Sequence, residues 1–269
     1  LQKEGSFMIS TVNETSSRTC GNPKGPVLIF IHGLGLNKDL WQWQIPVFES
    51  RFFLVTYDLW GHGNSLHPQE KPSLSLFSKQ LRYLMDDKGF KKVTLIGFSL
   101  GGMIARRAVQ DSPERVDRLI ILNSPHERTP EAQAAIWERV EQARLEGSAA
   151  TVEAALDRWF TETYRLAHPE KMGLIRSWIL ANKKSIYYKN YRVLADGIDE
   201  IISPNPPIEC PTLVLTGDED FGNGPEMANR IAADIKGSKV VILKRLRHMA
   251  LIEDHNEVNK NLMDFLSNS

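Results

Sequence analysis

The sequence has no net charge to speak of: 33 lysines and arginines balance 33 aspartates and glutamates, so nothing favours nucleic acid or an anionic membrane face as a partner. Cysteine is nearly absent. The two present, Cys20 and Cys210, lie far apart with no ligand-like spacing, and no Cys/His cluster predicts zinc. Both are read as reduced structural thiols of a cytoplasmic protein. No run approaches the roughly 18 apolar residues of a membrane span. The N-terminus also lacks a basic region followed by an apolar core, so no secretory leader is expected. Residues 1–7 precede the first methionine, Met8, and are read as a foreign extension or as the new start left by a removed segment. What is there is a chain of 269 residues, 42% hydrophobic, which can bury a sizeable core and is expected to act on a small molecule.

Hydrophobic patterning predicts alternating strands and helices. Met8–Cys20, rich in Thr, Ser and Val, reads as one or two irregular edge strands. Val27–Ile31 is continuous and branched, the mark of a strand covered on both faces, and Phe52–Tyr57, Val93–Ile96 and Val116–Leu122 come after it. Leu40–Phe48, Ser73–Asp87 and Met103–Gln110 carry helical spacing between them. Such alternation predicts a mostly parallel, doubly wound α/β sheet. It breaks after Pro125: through Pro207 there are helical runs at Glu131–Glu146, Thr151–Tyr164 and Pro169–Asn182 but no strong strand. The strand pattern then resumes at Thr212–Thr216 and Val240–Leu243, with helices at Pro225–Ile235 and Glu257–Leu266. The expected organisation is a core of residues 1–124 and 208–269 interrupted by a helical cap, 125–207.

The chemistry is expected at the strand ends. Gly97-Phe98-Ser99-Leu100-Gly101-Gly102 puts Ser99 on a turn between strand and helix, which lifts its hydroxyl clear of the sheet. The small residues Gly101, Gly102, Ala105 and Ala108 let the following helix approach closely, aiming the Leu100 amide at a reacting carbonyl. His32-Gly33-Leu34-Gly35 offers further backbone amides as the other half of an oxyanion hole. A serine needs a base, and His248 lies in the loop after the last strand. An acid to orient it lies in the turn Gly217-Asp218-Glu219-Asp220, on the same sheet edge. Asn123, at another strand end, cannot ionise and is excluded as that acid. His62, held between two glycines in Asp58–Ser65 with no acid beside it, reads as a turn-fixing residue. In the cap, Trp137, Trp159 and Trp178 are candidates for a pocket roof, against the plainer reading that they glue the cap to the body. Arg158 and Arg165 are read as solvated surface charge, with a role in holding a substrate carboxylate as the alternative.

The order serine, acid, histidine, with His32–Gly35 and Asp58–Ser65 upstream, resembles the α/β-hydrolase fold from about residue 25 onward. The resemblance implies Ser99 as nucleophile, His248 as general base, Asp220 rather than Asp218 as the acid, and the amides of Leu34 and Leu100 as oxyanion donors. It implies no cofactor and no metal. Gly97–Ala105 followed by Arg115-Val116, with Arg158-Trp159-Phe160-Thr161 in the cap, is similar to the branch of 3-oxoadipate enol-lactonases, small carboxylesterases and cofactor-free haloperoxidases. Two departures imply a different pocket: Trp60 stands where arginine is common, and Tyr187-Tyr188-Lys189-Asn190-Tyr191 lacks the usual small residues. The expected activity is hydrolysis of a carboxylic ester or lactone through an acyl-serine. Two alternatives are cleavage of a C–C bond in a vinylogous diketone by the same triad, and a non-catalytic ligand receptor on this fold.

Overall fold

The computed structural model describes residues 8–12 and 14–267. Among them, eight strands form one sheet in the order β1-β2-β4-β3-β5-β6-β7-β8. β1 (Met8–Val12) and β2 (Thr15–Gly21) pair antiparallel, from Met8 opposite Thr19 to Val12 opposite Thr15, and β2 runs antiparallel to β4 (Phe53–Tyr57). They are regular strands where irregular ones are expected from sequence. Every other pairing is parallel: β4 on β3 (Val27–Ile31), β3 on β5 (Val93–Phe98), then β6 (Val116–Leu122), β7 (Thr212–Gly217) and β8 (Lys239–Leu243).

The period of two along the central strands sorts their side chains onto opposite faces. Ile29, Ile31, Leu95, Leu119, Ile121 and Val214 pack in one cluster with side chains of α2 (Leu74–Asp87), α3 (Leu100–Asp111) and α9 (Pro225–Asp234). Leu28, Phe30, Ile96, Phe98, Ile120 and Leu213 join Trp41, with Phe48 of α1 (Ile45–Phe48) and Val258 and Leu262 of α11 (His255–Ser267), in the other. β5 is buried at every position, which accounts for its unbroken apolar run.

Between β6 and β7 the chain is helical: α4 (Pro130–Glu146), α5 (Val152–Trp159), α6 (Glu162–Ala167), α7 (Pro169–Leu180) and α8 (Lys184–Asp196). The single helix expected over Thr151–Tyr164 is two, because Phe160 turns to extended backbone and Thr161 caps a new start by accepting a hydrogen bond from the Tyr164 amide. Sequence patterning predicts no helix over Lys184–Asp196, where α8 stands. Its tyrosines favour helix weakly, and a fully buried Asn190 interrupts the apolar stripe. The buried side chains of this segment do not form a third core: Ile136, Tyr187 and Tyr191 belong to one cluster of the body, Leu156, Phe160 and Ile175 to the other. After β8 a short helix, α10 (Ala250–Glu253), leads into α11. Among the described residues no helix is long and apolar enough to cross a membrane.

Backbone meets backbone closely where α3 reaches the sheet edge. A Cβ at Gly101 would stand 2.1 Å from the Ile31 carbonyl oxygen, and one at Gly97 would stand 2.3 Å from that of Gly101. Neither neighbour is a side chain that can swing away. Gly101→Ala is therefore expected to destabilise the protein by about 1–3 kcal/mol or more, read as a lower urea midpoint at unchanged slope. A wild-type midpoint would show that α3 can withdraw from β3.

Candidate active site

Ser99 occupies the junction of β5 and α3 at φ 54°, ψ −115°, a conformation that costs a non-glycine residue on the order of 1–3 kcal/mol. The surroundings hold it there. Its amide donates to the Leu122 carbonyl at 2.8 Å, and its own carbonyl accepts from Ser124 Oγ at 2.9 Å and from the Gly102 amide at 3.0 Å. Leu100 opens α3, so its amide has no acceptor within the helix. The Leu34 amide, in the loop after β3, makes no hydrogen bond among the described residues. Gly33, Leu34, Ser99, Asp220 and His248 line one cavity of about 360 Å³.

Asp220 and His248 meet at the ends of β7 and β8. His248 Nδ1 lies 2.8 Å from Asp220 Oδ2, and both residues are buried. With Nδ1–H donated to the carboxylate, Nε2 is left as the free, basic nitrogen. The Asp220 carboxylate is fully engaged: Oδ2 also accepts from Asn123 Nδ2 at 2.9 Å, and Oδ1 accepts from the amides of Gly222 at 3.1 Å and Asn223 at 3.0 Å. Burial pushes this carboxyl up, but the charge of His248 and the hydrogen bonds from His248, Asn123 and the Asn223 amide together hold it below the usual carboxylate value. Asp218 faces elsewhere, accepting from the Arg245 amide at 2.6 Å with Lys244 Nζ 3.5 Å away. Asn123, which cannot ionise, is thus a partner of the Asp220 carboxylate; its position at a strand end is the signal that sequence offers for it.

The helical segment reaches the histidine loop at the break between α5 and α6. The Met249 amide donates to the Trp159 carbonyl at 2.9 Å, and Arg247 Nη1 donates to the carbonyls of Asp157 at 2.8 Å and Phe160 at 3.0 Å. The residues flanking His248 are pinned by the turn that splits the helix. Phe98 and Trp159 wall the imidazole, at centroid distances of 4.9 and 5.8 Å. Trp159 also lines the cavity. Trp137 and Trp178, the other two tryptophans offered as a pocket roof, are not among its lining residues. Trp137 is exposed beneath the Arg192 guanidinium, 5.5 Å from its ring, and Trp178 packs against the core because it shares its face of α7 with Ile175 and Ile179.

A polar network anchors the loops after β3 and β4. His32, completely buried, donates from Nδ1 to the Gly33 carbonyl at 2.7 Å and accepts at Nε2 from the Leu59 amide at 3.0 Å. Asp58 accepts from the Lys38 amide at 2.8 Å, from Lys38 Nζ at 2.6 Å and from the Asn64 amide at 2.9 Å. His62 lies against His32, with Nδ1 3.3 Å from Asn190 Nδ2 of α8. Among the described residues no three His, Cys, Asp or Glu side chains are grouped as metal ligands.

A family model for the alpha/beta hydrolase fold matches residues 26–255. The chain is 28% identical over 245 residues to (E)-2-((N-methylformamido)methylene)succinate hydrolase of Acinetobacter baylyi, covering 90% of this chain and 91% of that one. It is 29% identical over 203 residues to 3-oxoadipate enol-lactonase 2 of the same organism, covering 75% and 74% respectively. Among solved structures, the enol-lactonase of Burkholderia xenovorans LB400 superposes with a TM-score of 0.88 at 26% identity, over 97% of this chain and 100% of the other.

Burial lowers His32 from 6.5 to about 4, outweighing the nearby Asp58 charge, and burial with His32 alongside lowers His62 well below its ordinary value. Between about pH 6.5 and 4 the unfolded chain therefore binds protons that the folded one refuses. Stability should fall with pH across that window, by up to ~1.4 kcal/mol per pH unit for each ring. Asp220 does not offset this, since its contribution is lost only as pH drops through its depressed folded value. Urea unfolding at half-unit intervals measures the slope. A flat profile from pH 6.5 to 4.5 would contradict the neutral assignment of both rings.

Proposed function

The chain belongs to the alpha/beta hydrolase family, and from that premise we propose that it is a serine hydrolase of carboxylic esters or lactones, with Ser99 as nucleophile, His248 as general base and Asp220 as the acid that orients it. The observation that carries this reading is the 2.8 Å contact between His248 Nδ1 and Asp220 Oδ2 in the same cavity as a strained, buried Ser99. A carboxylate bound to Nδ1 keeps the imidazole in the tautomer whose Nε2 can accept a proton, and stabilises the imidazolium that results.

In this reading Ser99 Oγ attacks the carbonyl carbon while His248 Nε2 takes its proton. The tetrahedral oxyanion is received by the amides of Leu34 and Leu100, the latter backed by the positive end of the α3 dipole. His248 returns the proton to the departing alkoxide, and a water activated by the same nitrogen hydrolyses the acyl-serine. For a lactone the leaving alkoxide stays tethered to the acyl chain. Residues 125–207 act as a cap: α4, α5 and α8 supply the cavity wall opposite Ser99, and the docking of Trp159 and Phe160 against the His248 loop supports a cap that also sets the position of the base.

The test is hydrolysis of p-nitrophenyl esters from acetate to decanoate. A cavity of about 360 Å³ lies at the small end of ligand sites, so the rate should peak at a short acyl chain and vanish in Ser99→Ala. Asp220→Asn should lower kcat by on the order of 10³–10⁴, with KM little changed. No rate above that of Ser99→Ala at any length would overturn the simple esterase reading.

A further inference from the structure

The loop after β3 is held near its ends by the body and at its middle by the helical segment. His32 Nδ1 donates to the Gly33 carbonyl at 2.7 Å, and the Lys38 amide donates to Asp58 at 2.8 Å. Between them the Gly35 carbonyl accepts from Asn182 Nδ2 at 2.9 Å, its one hydrogen bond among the described residues. Asn182 stands in the turn between α7 and α8, and the same nitrogen lies 2.9 Å from the carbonyls of Trp178 and Ile179. Three carbonyls around one side-chain atom require a donor, so the amide nitrogen faces them, while Oδ1 is buried without a partner among the described residues. Two of the three belong to the last turn of α7, whose carbonyls the helix leaves unsatisfied. Capping that helix needs no more. The third is 147 residues away in the chain. Close packing keeps it within reach, since a Cβ at Gly35, which sits at φ 75°, would stand 3.2 Å from Tyr187 Cε2 and 3.7 Å from Ile179 Cγ1.

The Gly35 carbonyl and the Leu36 amide are two ends of one peptide unit. The Leu36 amide donates to the Gly33 carbonyl at 3.3 Å, and that carbonyl shares its own peptide unit with the Leu34 amide, at the wall of the Ser99 cavity. Hydrogen bonds therefore run in one direction from Asn182 through two peptide planes to the Leu34 N–H. Bonds aligned in this way polarise one another, and a peptide pinned at its carbonyl cannot swing its N–H away without breaking that bond. We propose that Asn182 is a positioning residue for the oxyanion hole, fixing and polarising the Leu34 amide through the peptide units of Gly35 and Gly33. The proposal deepens the hydrolase reading and rests on it for the role of Leu34. Because His32 also holds the Gly33 carbonyl, losing Asn182 loosens the donor and does not delete it. The α7–α8 turn thus reaches the oxyanion side of Ser99, as the α5–α6 turn reaches the histidine side.

On the best p-nitrophenyl ester, Asn182→Ala should lower kcat by about tenfold with KM little changed, short of the loss on the order of 10²–10³ that follows removal of a whole oxyanion donor. Butylboronic acid, which adds to a serine as a tetrahedral anion, should bind the variant about tenfold more weakly, whereas butyrate, a planar product, should bind it as it binds the wild type. Unchanged kcat and boronate affinity in a folded variant, whatever its urea midpoint, would make Asn182 a cap of α7 alone and overturn the proposal. Equal weakening of boronate and butyrate would overturn it too, as a general distortion of the cavity. Asn182→Asp, which keeps the shape and removes the donor, takes the place of Asn182→Ala should that variant not fold. Hydrogen exchange at the Leu36 amide, read by NMR, needs no turnover: it should be about tenfold faster in the variant, and an unchanged rate would overturn the relay. If the wild type cleaves no ester while Leu36 exchange responds as expected, the relay stands and the failure falls on the hydrolase reading alone.

Discussion

Everything at this site depends on how closely the first turn of α3 approaches the ends of β3 and β5. The missing side chains of Gly97 and Gly101 let backbone meet backbone, and the chain can then make the reversal that leaves Ser99 at positive φ. That one constraint fixes two things together. It raises the serine above the sheet edge, and it turns the start of a helix, with its unsatisfied amides, toward the same space. The strain at Ser99 is sustained by cooperative neighbours, since its amide and carbonyl are bound to β6 and to Ser124.

The other functional side chains are positioned from the parallel sheet and from the helical segment above it. Asp220 and His248 sit at the ends of adjacent strands, so their separation depends on the register of β7 on β8. The carboxylate is further locked by Asn123 at the end of β6, so three successive strand ends converge on one oxygen. The helical segment shares its buried residues with the body and touches it at Trp159–Thr161, next to the histidine loop. Cavity shape and the position of His248 are therefore mechanically linked, and substitutions in the α5–α6 turn act on both.

The parallel body was legible because burial on both faces leaves continuous branched runs such as Val27–Ile31, which no solvent-exposed element would tolerate. The placement of Ser99, Asp220 and His248 at strand ends was legible because it depends on order along the chain and on glycine spacing, both local properties. The helical segment was harder. α8 carries a buried Asn190 that bonds the Trp60 carbonyl and neighbours His62, so its polarity serves a tertiary contact and spoils the amphipathic signal. The split between α5 and α6 exists to bring carbonyls to Arg247 and Met249, partners nearly 90 residues away. Of the tryptophans, the ring at 159 lines the cavity because the helix breaks immediately after it, which no periodicity announces.

The central claim is that Ser99 is the nucleophile activated by His248, and covalent labelling reaches it most directly. Intact-mass analysis after incubation with a fluorophosphonate should show a single adduct, mapped by peptide digestion to Ser99, absent in Ser99→Ala and formed far more slowly in His248→Ala. An adduct on another residue, or labelling of Ser99→Ala as fast as the wild type, would contradict the account.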